Sequence, residues 1–140
     1  MTIRPASPRD LAAMAAIQSA SPDAAHWDPA DYLPYTCWIA EDAGIAQGFL
    51  VARAVAPGES EILNLAVALD SRRRGVARAL LAHAIAEQPG NWFLEVRESN
   101  TAALELYRST GFLAFGARPG YYQGGPYGSP ETAIVMRLQS

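Results

Sequence analysis

The segment Glu61-Ile-Leu-Asn-Leu-Ala-Val-Ala-Leu-Asp-Ser-Arg-Arg-Arg-Gly-Val-Ala-Arg-Ala-Leu-Leu constrains the fold more than any other stretch of the chain. An apolar run of strand length, Glu61 to Val67, meets a short polar turn, an arginine run, Gly75 and the small Ala77. A helix follows from Gly75 to Glu87, with Ala77, Leu80, Leu81, Ala84 and Ile85 on one face. A strand that feeds a helix through such a turn makes an anion cradle. The first turn of a helix carries N–H groups with no intrahelical partner and a partial positive charge, so pyrophosphate oxygens find backbone donors there. Gly75 lets the backbone come close and accepts dihedrals that a larger residue resists. Arg72, Arg73, Arg74 and Arg78 add charge and fork-shaped donors at the rim. Three arginines before a helix, taken alone, read as a solvated face; the strand in front, the Gly/Ala spacing and the helix behind point to phosphate.

Around this segment the remaining elements are shorter. A strand begins at Thr2, and Pro8 to Ala20 reads as a helix with Leu11, Met14, Ala15 and Ile17 in an approximate stripe. Ser21 to Pro34 holds three prolines and is read as irregular. Cys37 to Asp42 and Ile45 to Ala54 read as a hairpin turning at Gly44, and Trp92 to Val96 as a buried strand. Asn100 is placed to cap a helix through Ser109, with Gly111 at its left-handed end and Phe112 folding back. Leu113 to Ala117 and Thr132 to Leu138 supply two closing strands around a Gly/Pro-rich loop at 123–130. The order predicts one α/β (α+β) domain over residues 1–140 around a mixed sheet.

Composition removes several chemistries. All eleven cations are arginine, so no lysine is present to act as Schiff-base nucleophile, phosphate-loop cation or general base. A single cysteine, Cys37, permits no internal disulfide and reads as a buried strand residue. With only His26 and His83, a histidine-rich metal centre is not expected, and no metal is assigned. A net charge of −3 disfavours a nucleic-acid face. No apolar run reaches the length of a membrane span, and the start of the chain is unlike a signal peptide, so the expectation is a cytoplasmic protein.

Arg72-Arg73-Arg74-Gly75-Val76-Ala77 fits the (Gln/Arg)-x-x-Gly-x-(Gly/Ala) signature of the GNAT N-acetyltransferases. Leu63-Asn64-Leu65-Ala66-Val67, Leu94-Glu95-Val96-Arg97-Glu98-Ser99-Asn100, Ala103-Leu104-Glu105-Leu106-Tyr107 and Gly111-Phe112 follow in the order and spacing of the family. From Glu61 to Leu138 the chain resembles the bacterial ribosomal-protein-alanine N-acetyltransferase branch; the first sixty residues match loosely. The resemblance implies a mostly antiparallel sheet that splays between the Glu61 and Trp92 strands to admit acetyl-coenzyme A. It implies that the main chain of Leu65, Ala66 and Val67 lies along the acyl and pantetheine parts. Arg72 to Arg78, with Gly75, Val76 and Ala77, would surround the pyrophosphate, and Asn100 would lie further along the cofactor. Glu95 matches the family's general base and Tyr107 its general acid; Trp27, Tyr121 and Tyr122 would line the acceptor groove.

The chemistry has a use for these groups. A protein N-terminal ammonium has a pKa of roughly 7.7–8.0, so a carboxylate that removes its proton makes the nucleophile. A backbone N–H near Val67 can stabilise the oxyanion, and a tyrosine hydroxyl can protonate the leaving thiolate. Glu95 also reads as an outward-facing strand residue, with Glu98 and Glu105 as neighbouring carboxylates, and Tyr107 as a core aromatic with a satisfied hydroxyl. The expected activity is direct acetyl transfer to a primary amine, first of all the N-terminal amine of a protein such as a ribosomal protein beginning with alanine. A small-molecule amine or lysine side chain is the alternative acceptor, and a non-catalytic acyl-coenzyme A sensor the alternative class. A monomer or weak dimer is expected.

Overall fold

The computed structural model describes residues 1–21, 27–72, 74–122 and 131–139. The elements run β1 (Thr2–Pro5), α1 (Leu11–Ser19), β2 (Thr36–Asp42), β3 (Ile45–Ala56), β4 (Glu59–Val67), α2 (Val76–Glu87), β5 (Asn91–Arg97), α3 (Thr101–Ser109), β6 (Leu113–Tyr122) and β7 (Glu131–Gln139). They form a seven-stranded sheet in the order β1-β2-β3-β4-β5-β7-β6. Every pairing is antiparallel except β4 with β5, as the mixed, mostly antiparallel expectation requires.

The sheet is covered on both faces by different means. On one face α2 and α3 close a core of Trp38, Leu50, Leu80, Leu81, Trp92, Leu94, Leu104, Tyr107 and Phe112, among others. On the other, α1 covers a smaller cluster of Met14, Ile17, Tyr32, Cys37, Ile39, Phe49, Val51 and Ala66. The α2 residues Val76, Leu80, Leu81 and Ala84 recur at helical spacing, so a single stripe is buried. Gly48 on β3 makes this contact close: a Cβ there would stand 2.9 Å from the Ala66 carbonyl and 3.1 Å from Val76 Cγ1. At the end of α3 the predicted left-handed stop is a Schellman motif. Gly111 has φ 106°, its N–H donates to the Arg108 carbonyl, and the Phe112 N–H donates to that of Tyr107.

Four boundaries differ from the sequence reading by two residues or more. The helix expected from Pro8 opens as a 3-10 turn, Pro8–Asp10, before α1. There the Asp10 carboxylate accepts from the Ser7 N–H and from Arg4, which also pairs with Glu41. β3 and β4 extend to Ala56 and from Glu59, forming a hairpin around Gly58 at φ 72°. β6 continues through Pro119 to Tyr122, since it is the edge strand and its register breaks between Arg118 and Tyr122, where a missing N–H is tolerated.

Candidate active site

The site begins as a failure of two strands to stay paired. β4 and β5 are in register only at Glu59↔Asn91, Ser60↔Trp92 and Glu61↔Phe93, although both strands continue for several residues. The cause is visible on the β3 side, where Val51 faces Asn64 but Ala52 faces Ile62, so Leu63 is an extra residue in β4. Such a bulge bends the strand that carries it, and here the bend leads β4 away from β5.

Past the bulge, pairing with β3 decides which way the main chain points. The Ala68 N–H donates to the Gln47 carbonyl at 2.8 Å. Antiparallel pairs alternate between bonded and non-bonded, which makes Phe49↔Ala66 a bonded pair and leaves Gly48↔Val67 and Leu50↔Leu65 non-bonded. The N–H and C=O groups of Leu65 and Val67 therefore face the open side of β4. Those of Ala66 are engaged by β3, and its side chain is buried on the α1 face.

The open side is a cavity of about 450 Å³. Leu65, Val67 and Val76 form one wall, and Ala102, Ala103, Leu106 and Tyr107 of α3 the other. The start of α2 enters through Gly75, Ala77 and Arg78. Gly75 has φ 78°, a left-handed conformation that favours glycine, and among the described residues no side chain caps the helix it begins. The first turn of α2 thus opens into the same space as the edge of β4 that β5 leaves unpaired.

Arginine side chains take separate roles. Arg72 lines the cavity, and its guanidinium donates to the carbonyls of Val67 at 3.4 Å and Ala20 at 3.0 Å and to Ser21 Oγ at 3.2 Å. It ties the end of β4 to the end of α1. Arg78 reaches from α2 to Ser109 Oγ on α3 at 2.8 Å, across the cavity rim. Arg74 is exposed and is not part of the lining, and Arg73 lies outside the described residues.

The two candidate catalytic side chains approach from opposite faces of the sheet. Tyr107 is buried in the α2/α3 core, lines the cavity beside Ala103, and packs edge-on against Phe112. Glu95 alternates with Trp92, Leu94 and Val96, which belong to that core, so its side chain projects from the other face of β5. It is half-buried and outside the cavity lining, and its Oε1 accepts from Arg118 of β6 at 2.6 Å. Arg118 in turn lies over the ring of Tyr121 at 4.0 Å. Trp27, exposed, stacks on Tyr32 beneath α1. Tyr122 ends β6. Asn100 is not in the lining; its side-chain oxygen accepts from the Ala103 N–H at 3.2 Å and so caps α3.

Ser71 and Arg118 were not singled out in the sequence. Ser71, buried at the cavity, is an unremarkable turn serine when read along the chain. Arg118 carried no signal, because the residue it pairs with stands 23 positions earlier. Glu131 accepts from the Ser99 N–H at 2.7 Å and from Arg97, which fixes the turn leading into α3; these bonds hold its carboxyl below the usual range. Cys37 is buried in β2, and burial pushes its thiol up to about 12, which removes it as a nucleophile.

Comparison with known proteins meets the same features. Residues 9–112 match the acetyltransferase (GNAT) family. Over 84 residues the chain is 42% identical to the ribosomal protein bS18-alanine N-acetyltransferase of Escherichia coli K12, covering 57% of this chain and 55% of that protein. The chain thus spans little more than half the length of that relative. The crystal structure of the Escherichia coli ribosomal-protein-S18-alanine N-acetyltransferase superposes with a TM-score of 0.85 at 32% identity, covering 99% of this chain and 92% of that one. Naa20 of Chaetomium thermophilum, solved in complex with a bisubstrate analogue, gives a TM-score of 0.87 at 25% identity, with 99% and 86% covered.

Proposed function

The chain belongs to the acetyltransferase (GNAT) family, and from that premise we propose that it transfers the acetyl group of acetyl-coenzyme A directly to the N-terminal amine of a protein. An alanine-initiated protein of the small ribosomal subunit is the first choice, by similarity to a relative that bears that name. The observation that carries the reading is the meeting, in one cavity, of an uncapped helix start, an unpaired strand edge and a tyrosine.

The residues fit the co-substrate. The first turn of α2, entered through Gly75 and rimmed by Arg78, suits a pyrophosphate. On the open edge of β4, the Leu65 carbonyl and the Val67 N–H suit the amides of an extended arm. Acetyl-coenzyme A supplies a thioester carbonyl activated for attack. Around that carbonyl, the Val67 N–H is turned to the open side and is the donor we assign to the developing negative charge. Glu95, on the opposite face from the α2/α3 core, removes the proton of the incoming ammonium directly or through water. Tyr107, on the cavity side, gives its proton to the departing sulfur.

Placing base and acid on opposite faces of the split sheet lets the two substrates enter from opposite sides and meet at the gap. Trp27, Tyr121 and Tyr122 fall to the acceptor, and no covalent enzyme intermediate is required. We assign the reaction to a domain formed by residues 1–140, working in the cytoplasm where ribosomal proteins are made, without a metal. Thiol release from acetyl-coenzyme A is to be compared for an alanine-initiated peptide, an internal-lysine peptide and a polyamine. Turnover on the first and little on the others is expected; turnover confined to the lysine peptide or the polyamine would remove the N-terminal acceptor.

A further inference from the structure

Three buried polar side chains stand on the α1 face directly behind the open edge of β4. Gln18 and Asn64 are each 6% exposed and Tyr32 is fully buried. The Tyr32 hydroxyl donates to Gln18 Oε1 at 2.6 Å, and Asn64 Nδ2 donates to the same oxygen and to the Tyr32 oxygen, both at 3.1 Å. Among the described residues, two of the bonds that leave the triad bear on the site. Gln18 Nε2 donates to the main-chain carbonyl of Trp27 at 2.6 Å, and Asn64 Oδ1 accepts the N–H of Leu65 at 3.0 Å. The first grips the acceptor-side segment, and the second grips a donor that the β3 register turns toward the slot. The triad is set among apolar side chains, Met14, Ile17, Phe49 and Val51. A satisfied polar network in such surroundings fixes one geometry where apolar side chains would allow several.

We propose that Gln18, Tyr32 and Asn64 are positioning residues that lock the Trp27–Tyr32 segment to the slot-facing main chain of β4. In this arrangement Asn64 occupies the Leu65 N–H and leaves the Val67 N–H to the acyl carbonyl. The device coordinates two things that enter from opposite faces: the acceptor groove and the acyl site. It rests on the acetyl-transfer reading given above. It explains why an asparagine interrupts the apolar run Leu63-Asn64-Leu65 at the bulge, where its side chain bonds the triad through Nδ2 and the Leu65 N–H through Oδ1.

The test is steady-state kinetics of the full chain with acetyl-coenzyme A and an alanine-initiated peptide, together with amide hydrogen exchange at Leu65. Gln18→Met and Tyr32→Phe each remove hydrogen bonds on the acceptor side and should raise the peptide KM about fivefold, with kcat and the acetyl-coenzyme A KM within about twofold. Asn64→Leu should lower kcat about tenfold and speed exchange at Leu65. A peptide KM that stays put in Gln18→Met, or two KM values that rise together, overturns the positioning role. Should Asn64→Leu not fold, the other two variants decide the matter. A wild-type protein that transfers no acetyl group overturns the functional reading and this proposal with it, whereas an active wild type with unmoved variants overturns this proposal alone.

Discussion

β4 has two edges with different fates. Against β3 it is paired from Glu59 to Val67; against β5 it is paired only from Glu59 to Glu61. The same residues thus make a closed ladder on one side and an open one on the other. Nothing in their side chains is specialised for binding along most of that edge: Leu65, Ala66 and Val67 are ordinary strand residues. The slot arises where β5 leaves the main chain of β4 without a strand partner, and the closed edge holds that main chain in place. An extra residue at Leu63 bends the strand, and the β3 register sets which amides face outward. The open slot is a property of pairing, and the predictions below ask how far each edge can be disturbed before the other responds.

The largest effect is expected on the open side. Glu95→Gln removes the assigned base without changing shape, so kcat should fall by about 10²–10⁴. Glu95 pairs with a half-exposed Arg118, and such pairs contribute about 0–1 kcal/mol, so the melting temperature should barely move. Rapid-quench and thermal-melt measurements on one preparation separate the two. A variant that loses stability while keeping its rate would make Glu95 a structural partner of β6 and leave the base elsewhere.

Next comes the closed side. Gly48→Val drives a Cβ to within 2.9 Å of the Ala66 carbonyl and 3.1 Å of Val76, both rigidly held. Overpacking of this kind costs about 1–3 kcal/mol, read as a lower urea midpoint. Because Gly48 opposes Val67, the open edge should be misplaced as well, and coenzyme A should bind more weakly in the fraction that remains folded. Loss of stability with unaltered coenzyme A affinity would mean that the two edges are independent.

How much of this was legible along the chain follows the same division. The strand–turn–helix around Gly75 was readable because its residues are consecutive: strand, arginines, Gly75, Ala77, helix. The end of α3 was readable too, since Asn100, Gly111 and Phe112 act on their immediate neighbours. The bulge at Leu63 was not, because it exists only relative to β3. The Gln18–Tyr32–Asn64 triad was not, as its members are 14 and 32 positions apart. Arg118 gave no sign that it would pair with Glu95, and the strand read as ending at Ala117 continues to Tyr122 because β6 lies at the sheet edge. Local capping chemistry leaves a trace in sequence, while cross-strand geometry leaves little.

A smaller effect is expected at the start of α2. Gly75→Ala imposes a left-handed conformation on a residue with a Cβ, at a cost of about 1–2 kcal/mol, although the space around it is empty. The first turn should then shift and the coenzyme A Kd rise about tenfold, measured by calorimetry, since each 1.4 kcal/mol is a factor of ten. An unchanged Kd would show that the helix start is not where the pyrophosphate sits.

The smallest effect belongs to the residue that makes the sequence signature most conspicuous. Arg72 spends its guanidinium on Ala20, Ser21 and Val67, so its bonds brace the open edge against α1. Arg72→Gln keeps a donor near that position but shortens the reach and removes the charge. Exposed interactions of this sort contribute about 0–1 kcal/mol, so coenzyme A affinity should drop less than about fivefold. Titration at low and high salt sharpens the point. If the backbone of α2 does the binding, the Arg72→Gln curve should keep nearly the salt dependence of the wild type, because the charge it loses was engaged with α1. A much weaker and salt-insensitive variant would instead make Arg72 a direct phosphate ligand, and the open edge would then owe its affinity to a side chain as well as to its unpaired main chain.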